Sequence, residues 1–416
     1  MTEKKEMALV SRVKEFGLRD AAFLENGSVK ILIDDIGGMI PQFLNTQEKR
    51  HINAHWQPVF RANSDKPFDD TEHGTFWKNS MLYNIAGAFS CIPNVGSACI
   101  VEGETMPANG WSANLAWKYL RCGNDPATGA AWSLSEMNSP SSKIPLSFKK
   151  IDAVMPGQPV HYTKIKMANS SNSDIEICVG FNNMLGAPFL QPDCIISAAA
   201  DDWCTPPPGG EFDTTTRLAM GAEFIALTKA PLAYGGKVDL SKISGPLGYT
   251  DIVIGAIPGD AKLGWTTMVN PKLKLVYLCF FTGPSAVEDK EIALRFNNIL
   301  MQYGGRHYTP WSPWEGGTDI NYCVGMGNSI SAYNYGLDYS RRVKKLLDAP
   351  TTVVIPAKDE KTLCFGSLFA PYENSILDSG IVGVDAEENK LICKSATESW
   401  KFNADSSFAA LKKIQM

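Results

Sequence analysis

The sequence contains no apolar run long enough to cross a membrane; the longest dense one, Leu275 to Phe281, is far short of about 20 residues. Its first 20 residues carry charges every few positions and lack the apolar stretch of a signal peptide, so a cytoplasmic location and no membrane partner are expected. No CxxC pair occurs. The ten cysteines (91, 99, 122, 178, 194, 204, 279, 323, 364, 393) are dispersed through apolar segments, which points to buried reduced thiols rather than a disulfide framework. No Lys/Arg block of the kind that neutralises phosphates is present, and 39 basic against 44 acidic side chains give a net charge of -5, so nucleic acid is not expected as a partner. The absence of GxSxG, GxxxxGK[ST], and GxGxxG between a strand and a helix sets aside serine hydrolases, P-loop enzymes and dinucleotide binding. No cofactor is expected.

What the chain does have is enough apolar matter for a core. Of 416 residues, 44% are hydrophobic and 20% charged, which excludes a disordered or collagen-like chain. Val29 to Ile33 reads as a strand after the Asn26-Gly27 turn, with the next apolar segment as its hairpin partner. Val160 to Met167 and Ile175 to Val179 flank a polar stretch, 169–174, and read as a second hairpin. Further strands are expected at 251–257, 273–281, 291–296 and 351–355. Helical patterns are few: Glu3 to Phe16, Tyr339 to Leu347 and Ser406 to Ile414. With no βαβ alternation and no repeat, the expectation is a large antiparallel all-β body, and Thr205 to Gly210 is read as a loop within it.

The densest cluster of chemically useful residues is Gly304 to Gly317. Its prolines preclude a central strand, while Arg306, His307, Trp311, Trp314 and Glu315 pair flat apolar faces with charged tips. That mixture suits a small polar ligand such as a sugar, whose C–H face lies on aromatic rings while fixed polar groups meet its hydroxyls. His51 and His55 stand four apart, but Pro58 follows closely and no HExxH glutamate intervenes, so no metal site is expected. Asp69 to His73 lacks EF-hand spacing and is read as a solvated loop. Trp117 and Cys323 are expected in the core.

Three stretches in order resemble the galactose mutarotase (aldose 1-epimerase) superfamily: Leu82 to Gly96 running into Gly103 to Trp117, then Gly180 to Asp193 with its Gly-Ala-Pro-Phe-Leu, then Gly325 to Leu337. The resemblance implies a β supersandwich over residues 25–370, with an N-terminal extension at 1–24 and a C-terminal addition at 371–416 packed on the same body. It also implies a sugar cleft in which a histidine protonates the ring oxygen and a glutamate takes the anomeric proton. At the family's two histidine positions, however, this chain has Asn109 and Asn182, and at its glutamate position Gly327. An asparagine holds a hydroxyl but exchanges no proton near neutral pH. Two functions follow as expectations: carbohydrate binding without ring opening, or an isomerase whose acid-base pair has moved to other residues. For binding, the expected residues are Asn109, Trp111, Asn182, Asn183, Arg306, Trp311, Trp314 and Asp319. For displaced catalysis they are His307, Glu315 and His55. A scaffold with no small ligand is a third class.

Overall fold

The computed structural model describes residues 8–15, 18–47, 49–243, 248–312 and 322–416. Two antiparallel sheets face each other across the main core. One has eight strands, in the order Ile195–Ala198, Leu263–Asn270, Leu275–Thr282, Glu360–Pro371, Val160–Asn169, Leu146–Val154, Ala131–Asn138 and Lys118–Asn124. The other has seven: Glu223–Phe224, Asp202–Cys204, Thr250–Ala256, Phe296–Tyr303, Tyr322–Ile330, Val179–Leu185 and Ala88–Cys91. The protein is therefore all-β, of the sandwich class expected.

The strand Leu275–Thr282 explains the layering. Successive side chains of a strand point to opposite faces. Leu275, Tyr277, Cys279 and Phe281 join the core between the sheets, with Phe181 stacked on Phe365 at 4.5 Å across the gap. Val276, Leu278 and Phe280 face the other way, into a second core. Residues after 371 cover that face with a three-stranded sheet, Gly383–Glu387, Lys390–Lys394 and Ser399–Asn403, and the helix Ala409–Lys413. Phe408 stacks on Phe280 at 5.5 Å, and Lys164 Nζ donates to the carbonyls of Lys412 (3.1 Å) and Ile414 (3.2 Å), groups left open at the helix end.

The N-terminal region departs from expectation. Where a helix was read over residues 3–16, the described part is the strand Leu9–Glu15, paired with Arg19–Glu25 from Leu9↔Glu25 to Glu15↔Arg19. The boundary expected after residue 24 falls inside Arg19–Glu25, which continues through Val29–Asp34 and Gln42–Asn45 as one four-stranded sheet. A buried ion network fastens it: Arg61 meets Glu15 (2.5 Å) and Asp34 (2.8 Å), and Arg19 meets Asp34 (3.0 Å). Pairing and these charges outweigh the helical pattern. The Val29 hairpin forms as read, with Ile31 opposite Phe43.

The second hairpin does not form. Val160–Asn169 pairs with Leu146–Val154 and Glu360–Pro371, whereas Ile175–Ile177 pairs with Val353–Ile355. Asn169 causes the parting: its amide donates to Ser173 O (2.8 Å) and Ile355 O (3.0 Å), turning the chain toward the other sheet. The expected strand at 291–296 begins only at Phe296. Residues 70–77 form a helix rather than a loop, because Asp69 caps it by accepting from Glu72 N at 3.0 Å. Two expected helices are present as Leu337–Val343 and Ala409–Lys413. Among the described residues no helix is long and apolar enough to cross a membrane.

Because Phe280 anchors the outer core and is wholly buried, Phe280→Ala should destabilise the protein by about 3–5 kcal/mol in urea unfolding. A loss below about 1 kcal/mol would mean that the C-terminal layer contributes little to the fold.

Candidate functional site

On the face of the seven-stranded sheet turned away from the main core lies a cavity of about 250 Å³. Alternation along the strands builds its floor. Phe89, Asn182, Gly327 and Asn298 stand side by side on four neighbouring strands, by the pairings Phe89↔Asn182, Asn182↔Gly327 and Gly327↔Asn298. Leu300 and Gln302 continue the same face of Phe296–Tyr303. Glycine clears the centre. A Cβ at Gly327 would stand 3.4 Å from Asn298 Cβ and 3.5 Å from Asn182 Oδ1, and one at Gly325 only 2.9 Å from Met184 Sδ.

Segments between strands form the walls, notably 205–220 and 306–311. The first is pinned at its root by Thr205 Oγ1 donating to Ala219 O (2.6 Å), and farther on by Arg217 Nε donating to the buried carboxylate of Asp251 (2.6 Å). Asp213 accepts the N–H groups of Gly209 (2.7 Å) and Gly210 (3.1 Å). The Tyr308 hydroxyl donates to Glu211, joining the two walls.

Several polar groups on this cavity lack partners among the described residues. Gln302 is fully buried, and neither its Nε2 nor its Oε1 makes a hydrogen bond. Asn298 donates from Nδ2 to Ser329 Oγ (2.5 Å), while its Oδ1 is unpaired. Arg306 Nε is likewise unpaired. Buried amides in this state are costly. Burial pushes the phenols of Tyr333 and Tyr335 up to about 12, so both stay protonated. Among the described residues no group of three or more His, Cys, Asp or Glu side chains converges to hold a metal.

Of the residues singled out in the sequence, Asn109, Asn182, Arg306 and Trp311 line the cavity, as does Gly327. The three positions matched to the family's catalytic residues are thus brought together. Asn109 sits at φ 57°, and its Oδ1 accepts from Gly96 N (2.9 Å), so its amide shapes a turn as well as the wall. Trp311 is 3% exposed, stacked on Trp56 with ring centres 5.9 Å apart, and offers a wall rather than an open platform.

Others lie elsewhere. Trp111 is in the core. Asn183, one residue along from Asn182, points into the main core and accepts from Tyr277 Oη (2.8 Å). His55 joins it there: Nδ1 donates to Ile40 O (2.6 Å), and Nε2 lies 2.9 Å from Tyr277 Oη. Burial lowers its pKa to about 3, leaving a neutral imidazole away from the cavity, so its expected catalytic role has no geometric support. His307 is exposed and outside the lining. Trp314, Glu315 and Asp319 fall outside the described residues. Trp117 and Cys323 are buried as expected, and burial raises the Cys323 thiol to about 12.

Residues overlooked in the sequence include Asn298, Gln302, Glu211, Phe212 and Asp213. A signal existed for two of them. In Phe296–Tyr303, Asn298 and Gln302 are polar residues an even number apart in an apolar strand, which puts them on one face.

No family profile matches the sequence, and no curated protein is similar to it in sequence. Solved structures are similar in fold. A proposed aldose 1-epimerase of Klebsiella pneumoniae superposes with TM-score 0.59 at 10% identity, covering 84% of this chain and 79% of that one. A galactose mutarotase-like protein of Clostridium acetobutylicum gives 0.54 at 11%, covering 88% and 99%. One from Lactobacillus casei gives 0.51 at 12%, covering 84% and 100%. The chain therefore has the galactose mutarotase-like fold.

His55 gives a pH signature. The unfolded imidazole binds a proton near pH 6.5 and the folded one only near 3, so its contribution to stability is complete above 6.5 and lost as pH falls through that window. The slope is about 1.4 kcal/mol per pH unit for one proton. Between pH 6 and 3.5 the parent should lose stability more steeply than His55→Gln by about that amount; parallel profiles would contradict a neutral buried His55.

Proposed function

We propose that the protein binds a carbohydrate, a sugar or a glycan end, in this cavity and leaves its ring closed. The observation that carries this reading is Gln302, a wholly buried amide on the cavity with donor and acceptor both free. One such amide matches two neighbouring hydroxyls of a sugar ring, giving a hydrogen bond to one and taking one from the other. Asn182 and Asn298 add further amides, and Phe89, Phe212 and Tyr335 add flat apolar surface. The fold is compatible with a sugar ligand, since its structural neighbours include a proposed aldose 1-epimerase and galactose mutarotase-like proteins.

The closed ring follows from the side chains available. Ring opening needs a proton donor at the ring oxygen and an acceptor at the anomeric hydroxyl, each within hydrogen-bond reach. Asn109, Asn182 and Gly327 supply neither. Of the described lining carboxylates, Asp213 is occupied by two backbone N–H groups, and Glu211 by Tyr308. We take the site of action to be the cytoplasm.

The test is ligand saturation transfer by proton NMR across a panel of monosaccharides and short glycans, with Gln302→Leu beside the parent. The variant should bind a responding sugar about 5- to 150-fold more weakly, corresponding to about 1–3 kcal/mol. It should be as stable as the parent or more so, because an unpaired buried amide is gone. Equal affinity would remove Gln302 from the site. Silence across the panel would overturn the carbohydrate reading.

A further inference from the structure

Arg306 brings a full positive charge to the cavity, and among the described residues its one ion-pair partner is Glu211. Its side chain is 7% exposed. The guanidinium carbon stands 3.9 Å over the Trp311 ring and 4.7 Å from the centre of Phe212, so two aromatic rings fix the plane of the fork. Its Nε has no partner. Its ion pair with Glu211, 3.6 Å from Nη2 to Oε1, is too long for a hydrogen bond. That same Glu211 oxygen already accepts the Tyr308 hydroxyl, and the Glu211 side chain is half exposed at the rim. A buried guanidinium held this way lacks the two parallel N–H···O bonds that a carboxylate gives it.

We propose that Arg306 receives the carboxylate of an acidic sugar, a hexuronate, and that Glu211 is a stand-in which the ligand's carboxylate displaces. This rests on the carbohydrate reading above and adds the charge of the ligand to it. The planar fork takes both oxygens of one carboxylate, which a lysine could not do with the same geometry. Gln302 lies four residues before Arg306, where Phe296–Tyr303 runs into the wall, so one ligand can span a carboxylate site and a hydroxyl site. A single arginine with Glu211 and Asp213 on the same wall favours a monoanion over the dianion of a phosphate ester.

Isothermal titration with three matched ligands tests this: galactose, galacturonate and galactose 6-phosphate, then the glucose series, on parent, Arg306→Lys and Glu211→Gln. The parent should bind the uronate at least tenfold more tightly than the neutral sugar of the same configuration. Arg306→Lys, which keeps the charge and loses the planar fork, should lower that ratio severalfold, and an unchanged ratio overturns the two-oxygen seat. Glu211→Gln, at an exposed position that tolerates change, should raise it, because the competing carboxylate has lost its charge; an unchanged or lower ratio overturns the stand-in role. Equal binding of neutral and acidic sugars by the parent overturns the inference and leaves carbohydrate binding intact. Preference for the 6-phosphate overturns the carboxylate assignment. Absence of binding by every ligand overturns both.

Discussion

The strand Leu275–Thr282 is apolar on both faces, and much of the architecture answers that fact. Tyr277 and Phe281 need one apolar layer against them, Val276 and Phe280 another. The seven-stranded sheet supplies the first and the C-terminal residues the second. A strand exposed on either side would present a large apolar patch to water, and at about 25 cal/mol per Å² such burial is the dominant favourable term in folding. Once the eight-stranded sheet is covered twice, one broad sheet face is left for polar work: the outer face of the seven-stranded sheet, where the cavity lies.

Alternation then gives adjacent residues different fates. Asn182 and Asn183 are chemically identical, yet one lines the cavity and the other closes a hydrogen-bonded seam with Tyr277 and Ser367 in the core. Gly327 and Asn328 divide in a similar way: the glycine leaves space on the floor, while Asn328 Nδ2 donates to Asn297 Oδ1 (2.7 Å) within the sandwich. Asn183 is satisfied in the core by Tyr277, Ser367 and Met326, whereas Asn328 keeps an unpaired Oδ1, as Asn298 does at the cavity.

The all-β class was legible in the sequence because strand-length apolar runs and turn residues recur without helical periods between them. Individual pairings were not. Whether Val160–Asn169 pairs with Ile175–Ile177 depends on where the Asn169 amide points, which no local pattern states. The helix read near the N-terminus gave way to a strand held by charges from residues 34 and 61, remote in sequence. In the site, Arg306 and Trp311 stood out as a dense cluster of unusual residues, and Asn109 and Asn182 through the family resemblance. His55 drew attention through its spacing from His51 and Trp111 through the stretch that carries the family resemblance, and burial, which a single sequence does not print, places both in the core. Gln302 was missed because its one signal, an even spacing from Asn298 in an apolar strand, matches no motif; its lack of partners is what singles it out.

On the proposed reading, buried amides hold a sugar where acid-base residues would otherwise open its ring. Two-dimensional exchange NMR of anomerically pure or equilibrated sugar, with protein present at concentrations that give clear binding, tests it most directly. The account predicts contacts between protein and sugar, with α-to-β exchange at the rate of sugar alone. Exchange accelerated in proportion to protein concentration would contradict it, and would require a titrating donor and acceptor at the cavity.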